Sequence, residues 1–257
     1  MSLLMKILTM LTGVYVLFTP LFIHSRMDAS PCRGIEITIA DSARHRFVNR
    51  NDIMNLVRST GIRVRGIPVN EISIAGIEEK IKTLKELRVA EVYFSADNMM
   101  HIYADQREPV MRVIATYGGD FFIDTEGVIM RRHNIYTPRL HVFEIDMVFS
   151  PNAMTGTSIF ENEKTVNLAR AYELVKYINN DTFWSAMIDH LYMARDGEVE
   201  MVPRVGNHVI HLGKVENFQE KFDKLFVFYR EAMPKAGWDR YKTVNIEYKG
   251  QVVCQRR

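Results

Sequence analysis

RVAEVYFSADNMMHIYADQR, spanning Arg88–Arg107, reads as two strands, RVAEVYFS and NMMHIYADQR, joined at Asp97-Asn98. Working backwards, Ile74, Ile77, Ile81 and Leu84 recur at helical spacing after Asn70 or Ser73, either of which can open a helix. Earlier still, Asn49 or Asn51 can cap a helix in which Ile53, Leu56 and Val57 share a face and which Gly61 ends. Ile35, Ile37 and Ile39 alternate with Glu36 and Thr38, the period of a half-buried strand. The order from Gly34 to Arg107 is therefore β-α-α-β-β, a self-contained module in which two helices cover one face of a small sheet.

Between Ile7 and Ile23 the sequence ILTMLTGVYVLFTPLFI carries no charge, and with Leu3 and Leu4 it is long enough for a helix across a ~30 Å hydrocarbon core. A cleaved signal peptide is the competing reading. The run is longer than a usual signal core, and HSRMDAS is a poor small-residue cleavage site, so an uncleaved anchor is expected. Residues 1–6 then form a short inner tail, 7–23 a transmembrane helix and 24–33 a linker. Lys6 and the terminal amine face His24 and Arg26 across the span, a weak charge bias. The short tail against the folded bulk favours the N-terminus inside, which in a bacterium puts the bulk in the periplasm.

Residues 108–257 read as a second, β-rich domain. In REPVMRVIATYGGDFFIDTEGVIMRR, Gly118-Gly119-Asp120 and Asp124-Thr125-Glu126-Gly127 punctuate three short strands of a meander. A helix from about Asn162 to Asn179 has Leu168, Tyr172 and Val175 on one face. Strands follow around Met187–Met193, Glu198–Val202 and His208–Leu212, with turns at Asp196-Gly197 and Gly206-Asn207. NFQEKFDKLFVFYREAM then sets Phe218, Phe222, Leu225, Phe226 and Tyr229 on one side of a second helix, stopped by Pro234 and Gly237. In VNIEYKGQVVCQRR (Val244–Arg257), Val244, Ile246 and Tyr248 alternate with Asn245 and Glu247. Lys249-Gly250 offers a two-residue turn, and Gln251–Cys254 reads as a closing strand. The fold class is α+β, with a mostly antiparallel second domain carrying two helices.

The chain of 257 residues is 47% hydrophobic and 25% charged, the balance of an ordered globular protein. Lys plus Arg number 33 against 31 Asp plus Glu, too even for a nucleic-acid binder. Cys32 and Cys254 are too few for a disulfide scaffold and show no regular spacing, so two free thiols are expected.

Chemistry is sparse. His208 and His211 are three apart on an expected strand and point to opposite faces, and no His pair has helical i, i+4 spacing. Asp120, Asp124 and Glu126 cluster, but the intervening FFI breaks calcium-loop spacing, and Asp124–Gly127 reads as a turn. There is no G-x-S-x-G or phosphate-cradling glycine loop, and Cys254 sits in an apolar strand as a structural thiol. No catalytic residue, cofactor or metal is expected. A protein of this kind acts through surfaces. The final strand has one sequence neighbour; from the hairpin alone, an open sheet edge and a covered or central strand are both compatible.

The order of parts resembles the FtsQ/DivIB family of bacterial cell-division proteins, as found in Bacteroidetes. Arg107, Pro109 and Arg112 with the aromatic-Ile-Asp-x-x-Gly turn at Phe122–Gly127 resemble that family's entry into its β-domain. Leu212-Gly213, Lys221, Leu225, Gly237-Trp238, Tyr241 and Tyr248–Cys254 resemble its C-terminal end. The resemblance implies a non-enzymatic divisome scaffold of the inner membrane at the septum. It implies a POTRA module at 34–107 that recruits other divisome proteins, and a β-domain at 108–257 that binds FtsB and FtsL, with FtsB adding a strand to the last strand. Tyr248, Gln251, Val252, Val253 and Cys254 become the partner-binding residues. A tail of about six residues is shorter than in many members of that family. Two other readings compete. A membrane-anchored envelope hydrolase would need His101 or His133 to converge with Asp120 or Asp124 in a cleft. A POTRA-bearing secretion component lacks the later run of barrel strands.

Overall fold

The computed structural model describes residues 9–16, 30–40, 42, 46–132 and 136–257. Residues 9–16 are helical, with Met10, Leu11 and Tyr15 exposed. Among the described residues no helix is long and apolar enough to cross a membrane, and the rest of the expected 7–23 span lies outside them. The chain divides into two compact units between Gln106 and Arg107.

The first unit contains β1 (Gly34–Ala40), α1 (Arg50–Ser59), α2 (Ile74–Ile81), β2 (Leu87–Phe94) and β3 (Met99–Gln106). Asn49 caps α1 through a capping box with Asp52, and Ser73 caps α2 at the Gly76 N–H. These local bonds fix where each helix starts. Ile53 and Val57 of α1 and Ile77 and Ile81 of α2 are buried, as are Val92, Met100 and Ile102 of the sheet. The strand order is β1-β3-β2, with β1 parallel and β2 antiparallel to β3. Residues 30–33, expected in the linker, belong to this unit. The Cys32 N–H donates to the Ile67 carbonyl at 2.8 Å, and Pro31 bridges to Pro68.

The second unit is one nine-stranded sheet. Its strands are β4 (Pro109–Tyr117), β5 (Gly119–Asp124), β6 (Ile129–Arg131), β7 (Val142–Val148), β8 (Ile188–Met193), β9 (Glu198–Pro203), β10 (Val209–Lys214), β11 (Tyr241–Asn245) and β12 (Val253–Arg256). The order is β12-β11-β10-β9-β8-β7-β4-β5-β6. Joints β4–β7, β7–β8 and β10–β11 are parallel and the others antiparallel. The sheet is therefore mixed, with an antiparallel majority. Strand β7 was absent from the expected set, yet it joins the two halves: Phe143 and Ile145 are buried between β4 and β8.

Two long helices, α4 (Val166–Asn180) and α6 (Phe218–Glu231), pack into one core with the sheet. Three short ones accompany them, α3 (Pro151–Met154), α5 (Thr182–Met187) and α7 (Met233–Ala236). Leu168, Tyr172 and Val175 from α4 and Phe222, Leu225 and Tyr229 from α6 are buried, whereas Phe226 stays 37% exposed. Each fully buried side chain of this size contributes roughly 1.5–3 kcal/mol. Trp184 of α5 stacks edge-on against Phe222, tying the aromatic cluster together.

The closing hairpin differs from its sequence reading. The strands end at Asn245 and resume at Val253, so residues 246–252 form a seven-residue connection in place of a two-residue turn. Ile246 is fully buried and donates its N–H to the His211 carbonyl at 3.0 Å. Lys224 of α6 donates Nζ to the carbonyls of Ile246, at 3.0 Å, and Tyr248. Those bonds take the chain out of the β11–β12 ladder. Lys249 and Gly250 turn within this loop, Gly250 at φ 71°.

Candidate docking edge

Strand β12 lies at one end of the sheet, paired on one side to β11: Asn245 faces Val253, Val244 faces Cys254 and Thr243 faces Gln255. The Arg257 N–H donates to the Arg240 carbonyl at 3.2 Å. Antiparallel ladders alternate inward and outward pairs, so Val253 and Gln255 also bond towards β11, and Cys254 and Arg256 turn their N–H and C=O groups outward. Val253 is 45% exposed, Gln255 and Arg256 are exposed, and Cys254 is half-buried.

The side chains alternate in the other sense. Val244 is wholly buried, so its partner Cys254 points to the core face under α6, while Val253 points to the opposite face. Partial burial pushes the Cys254 thiol above its ordinary range, and both cysteines are free thiols. Alongside, a groove of about 550 Å³ runs between α6 and the segment before β12. Val227, Phe228 and Val252 give it apolar walls, and Glu220, Asp223 and Glu231 give it acidic ones. Tyr248 stands 51% exposed on the loop that Lys224 holds. The five residues singled out from sequence thus fall on one edge and its approach loop. Sequence reading missed Lys224 and the groove-lining residues of α6, which contribute from the facing helix.

The opposite edge, β6, is closed by the segment 156–159. Ile129 donates to the Thr157 carbonyl at 3.0 Å, Gly156 donates to the Ile129 carbonyl at 2.8 Å, and Val128 bridges to Ser158. Ile159, 1% exposed, donates to the Gly127 carbonyl at 2.9 Å.

Of the residues a catalytic reading would need, His101, Asp120 and Asp124 are engaged elsewhere. Asp124, 1% exposed, accepts from the N–H groups of Glu126 and Val128 and from Arg107 Nη1 at 2.6 Å, the arrangement of a braced turn. Asp120 takes a bidentate bond from Arg112 and a contact from Arg132, and it holds the Arg112 guanidinium above its usual range. His101, in the first unit, contacts Ser95 and Glu36, while His133 lies outside the described residues. His208 is buried against the Tyr229 hydroxyl at 2.7 Å, and His211 pairs with Glu200 on β9. Lys221 donates Nζ to the Leu212 and Lys214 carbonyls, and burial lowers its basicity. No group of three or more metal-ligating side chains occurs among the described residues.

The chain thus combines a helix-covered three-stranded module with a β-domain whose sheet, among the described residues, is sealed at one edge and open at the other. Residues 108–255 match the family model described as FtsQ/DivIB, C-terminal related, and residues 30–104 match that of a POTRA-like domain. The chain belongs to the FtsQ/DivIB family, a family of non-enzymatic cell-division scaffolds. No curated protein matches the chain.

Proposed function

We propose that the protein is a divisome scaffold anchored in the bacterial inner membrane through residues 7–23, with its folded bulk in the periplasm at the septum. Its open edge at β12 captures the periplasmic segments of FtsB and FtsL by strand addition, and its POTRA-like unit contacts other divisome proteins. The observation that carries this reading is the outer side of β12, unpaired among the described residues, where Cys254 and Arg256 direct main-chain groups away from β11. Main-chain bonds supply affinity there, and Tyr248, Gln251, Val252, Val253 and the groove beside them select the side chains. The test is calorimetric titration of the intact chain with the host's FtsB–FtsL periplasmic pair, beside a chain ending at Lys249. Loss of binding by a truncated chain with native circular dichroism is expected. Equal binding by both would move the interface off β12, and no binding by either would remove the FtsB–FtsL assignment.

A further inference from the structure

Arg112 of β4, the segment 138–142 leading into β7, Asn179 of α4, Ser185 of α5 and Arg204 just past β9 line a cavity of about 620 Å³ that shares no residue with the groove beside β12. Its lining includes Arg112, Arg139, Arg204, His141, Asn179 and Ser185, and no carboxylate. The groove beside β12 is rimmed by three acidic residues, and the one beside α4 includes Glu173, so this cavity differs in charge from both.

Its floor is fixed from several elements. His141, 9% exposed, meets the Asn179 Oδ1 of α4 at 2.7 Å through Nδ1 and the Ile188 carbonyl of β8 at 3.2 Å through Nε2. Asn179 in turn donates Nδ2 to the Val110 carbonyl at 3.2 Å, and Arg112 donates its N–H to the His141 carbonyl at 3.2 Å. A floor held this way does not need to reorganise around a ligand.

The positive charge above that floor is only partly matched. Asp120 is shared by Arg112 and Arg132, and Asp189 meets Arg204 at 3.3 Å with both side chains more than half exposed, a weak pair. Arg139 is exposed and has no acceptor among the described residues. The three lining guanidiniums, Arg112, Arg139 and Arg204, face two carboxylates, Asp120 and Asp189, which leaves one positive charge unmatched at the cavity and favours an anion such as a phosphate monoester. Guanidinium forks match the oxygens of such a group in number and geometry.

We propose that this arginine-lined cavity binds a phosphate monoester group, carried by a lipid headgroup or by a soluble molecule. The test titrates the intact chain in non-ionic detergent with inorganic phosphate and, separately, with water-soluble dihexanoyl phosphatidic acid, using dihexanoyl phosphatidylcholine as the uncharged-headgroup control. Arg139→Gln and Arg204→Gln are compared with Lys235→Gln, which removes the same charge from an exposed site outside the cavity. Each cavity variant should weaken binding about tenfold, the loss of one charge-assisted bond, with Lys235→Gln unchanged. Arginine-dependent binding of both probes identifies a general phosphate site, and arginine-dependent binding of phosphatidic acid alone identifies a lipid headgroup site. Absence of binding by the intact chain, or equal losses in Lys235→Gln and the cavity variants, overturns the proposal.

Discussion

At one edge of the nine-stranded sheet, β6 spends the outer main-chain groups of Ile129 on segment 156–159; at the other, the outward groups of Cys254 and Arg256 meet no strand among the described residues. Unpaired edges invite uncontrolled association, and sealing with a loop is a common remedy. One sheet therefore shows the remedy applied and withheld. The withheld side is also the one flanked by an apolar groove with acidic walls and by a loop pinned from α6. The contrast teaches that openness at β12 is local: β6 shows that this fold can close an edge with a few residues of loop.

Breaking the seal should have the largest effect. Ile159→Ala removes a side chain buried to 1% exposure from the segment over β6, and should cost about 2–4 kcal/mol by chemical denaturation. The variant should also associate with rising concentration in sedimentation, since a second edge becomes available. A monomeric variant of lowered stability would mean that the seal supports packing only. Gly127→Ala attacks the same seal from beneath. Gly127 has φ 77°, and an added Cβ would lie 2.4 Å from Cε2 of Phe160, so roughly 1–3 kcal/mol should be lost.

The open edge calls for subtler changes. Cys254→Pro deletes an N–H that points away from β11, a position where an edge strand tolerates proline. Partner affinity should fall roughly two- to tenfold, one hydrogen bond's worth, with little change in melting temperature. Undiminished affinity would show that no strand is added there. Lys224→Met should act more gently still. It frees the Ile246 and Tyr248 carbonyls and loosens the approach loop, lowering affinity by a factor of about three while leaving the sheet intact.

The two units differ in how openly their sequences declare them. In the first, each boundary carries its own chemistry: Asn49 and Ser73 cap their helices, and Asn98, at φ 62°, makes the turn between β2 and β3. Local signals of that kind can be read from a short window. Strand β7 alternates too, with Phe143, Ile145 and Met147 against Glu144 and Asp146, but its parallel partners β4 and β8 are remote in sequence and no tight turn brackets it. The closing hairpin misled for a related reason. Alternation through Tyr248 predicts a continuous strand, and the lysine that ends it belongs to α6, 22 and 24 residues away from the carbonyls it binds. Of the candidate docking residues, Val253 and Cys254 were legible as a strand, while Tyr248, Gln251 and Val252 lie in the connection before it; the position at an edge follows from the order of nine strands. The arginine cavity gathers residues from two strands, two helices and the segments flanking β7 and β9, and no single stretch of sequence announces it.

The smallest predicted effect concerns the far end of the open edge. The Arg257 guanidinium donates to the Asn207 carbonyl, beside His208, whose ring is buried against Tyr229. Burial above all, and then the Arg257 charge, hold the His208 pKa below its ordinary value of 6.5, against the opposing influence of Asp239 and the Trp238 carbonyl. Burial raises the Tyr229 hydroxyl, so it stays neutral and offers no counter-charge. A depressed folded-state pKa means that the stability tied to neutral His208 is present above pH 6.5 and is lost as pH falls through the folded value. Protonation would set an imidazolium against the guanidinium that secures the end of β12. Melting at about pH 5.5 should therefore be modestly lower than at about pH 7.5, with faster amide exchange at Val253–Arg256. In His208→Gln that difference should shrink. If the variant keeps the full pH dependence, other groups govern it, and the open edge is held independently of this histidine.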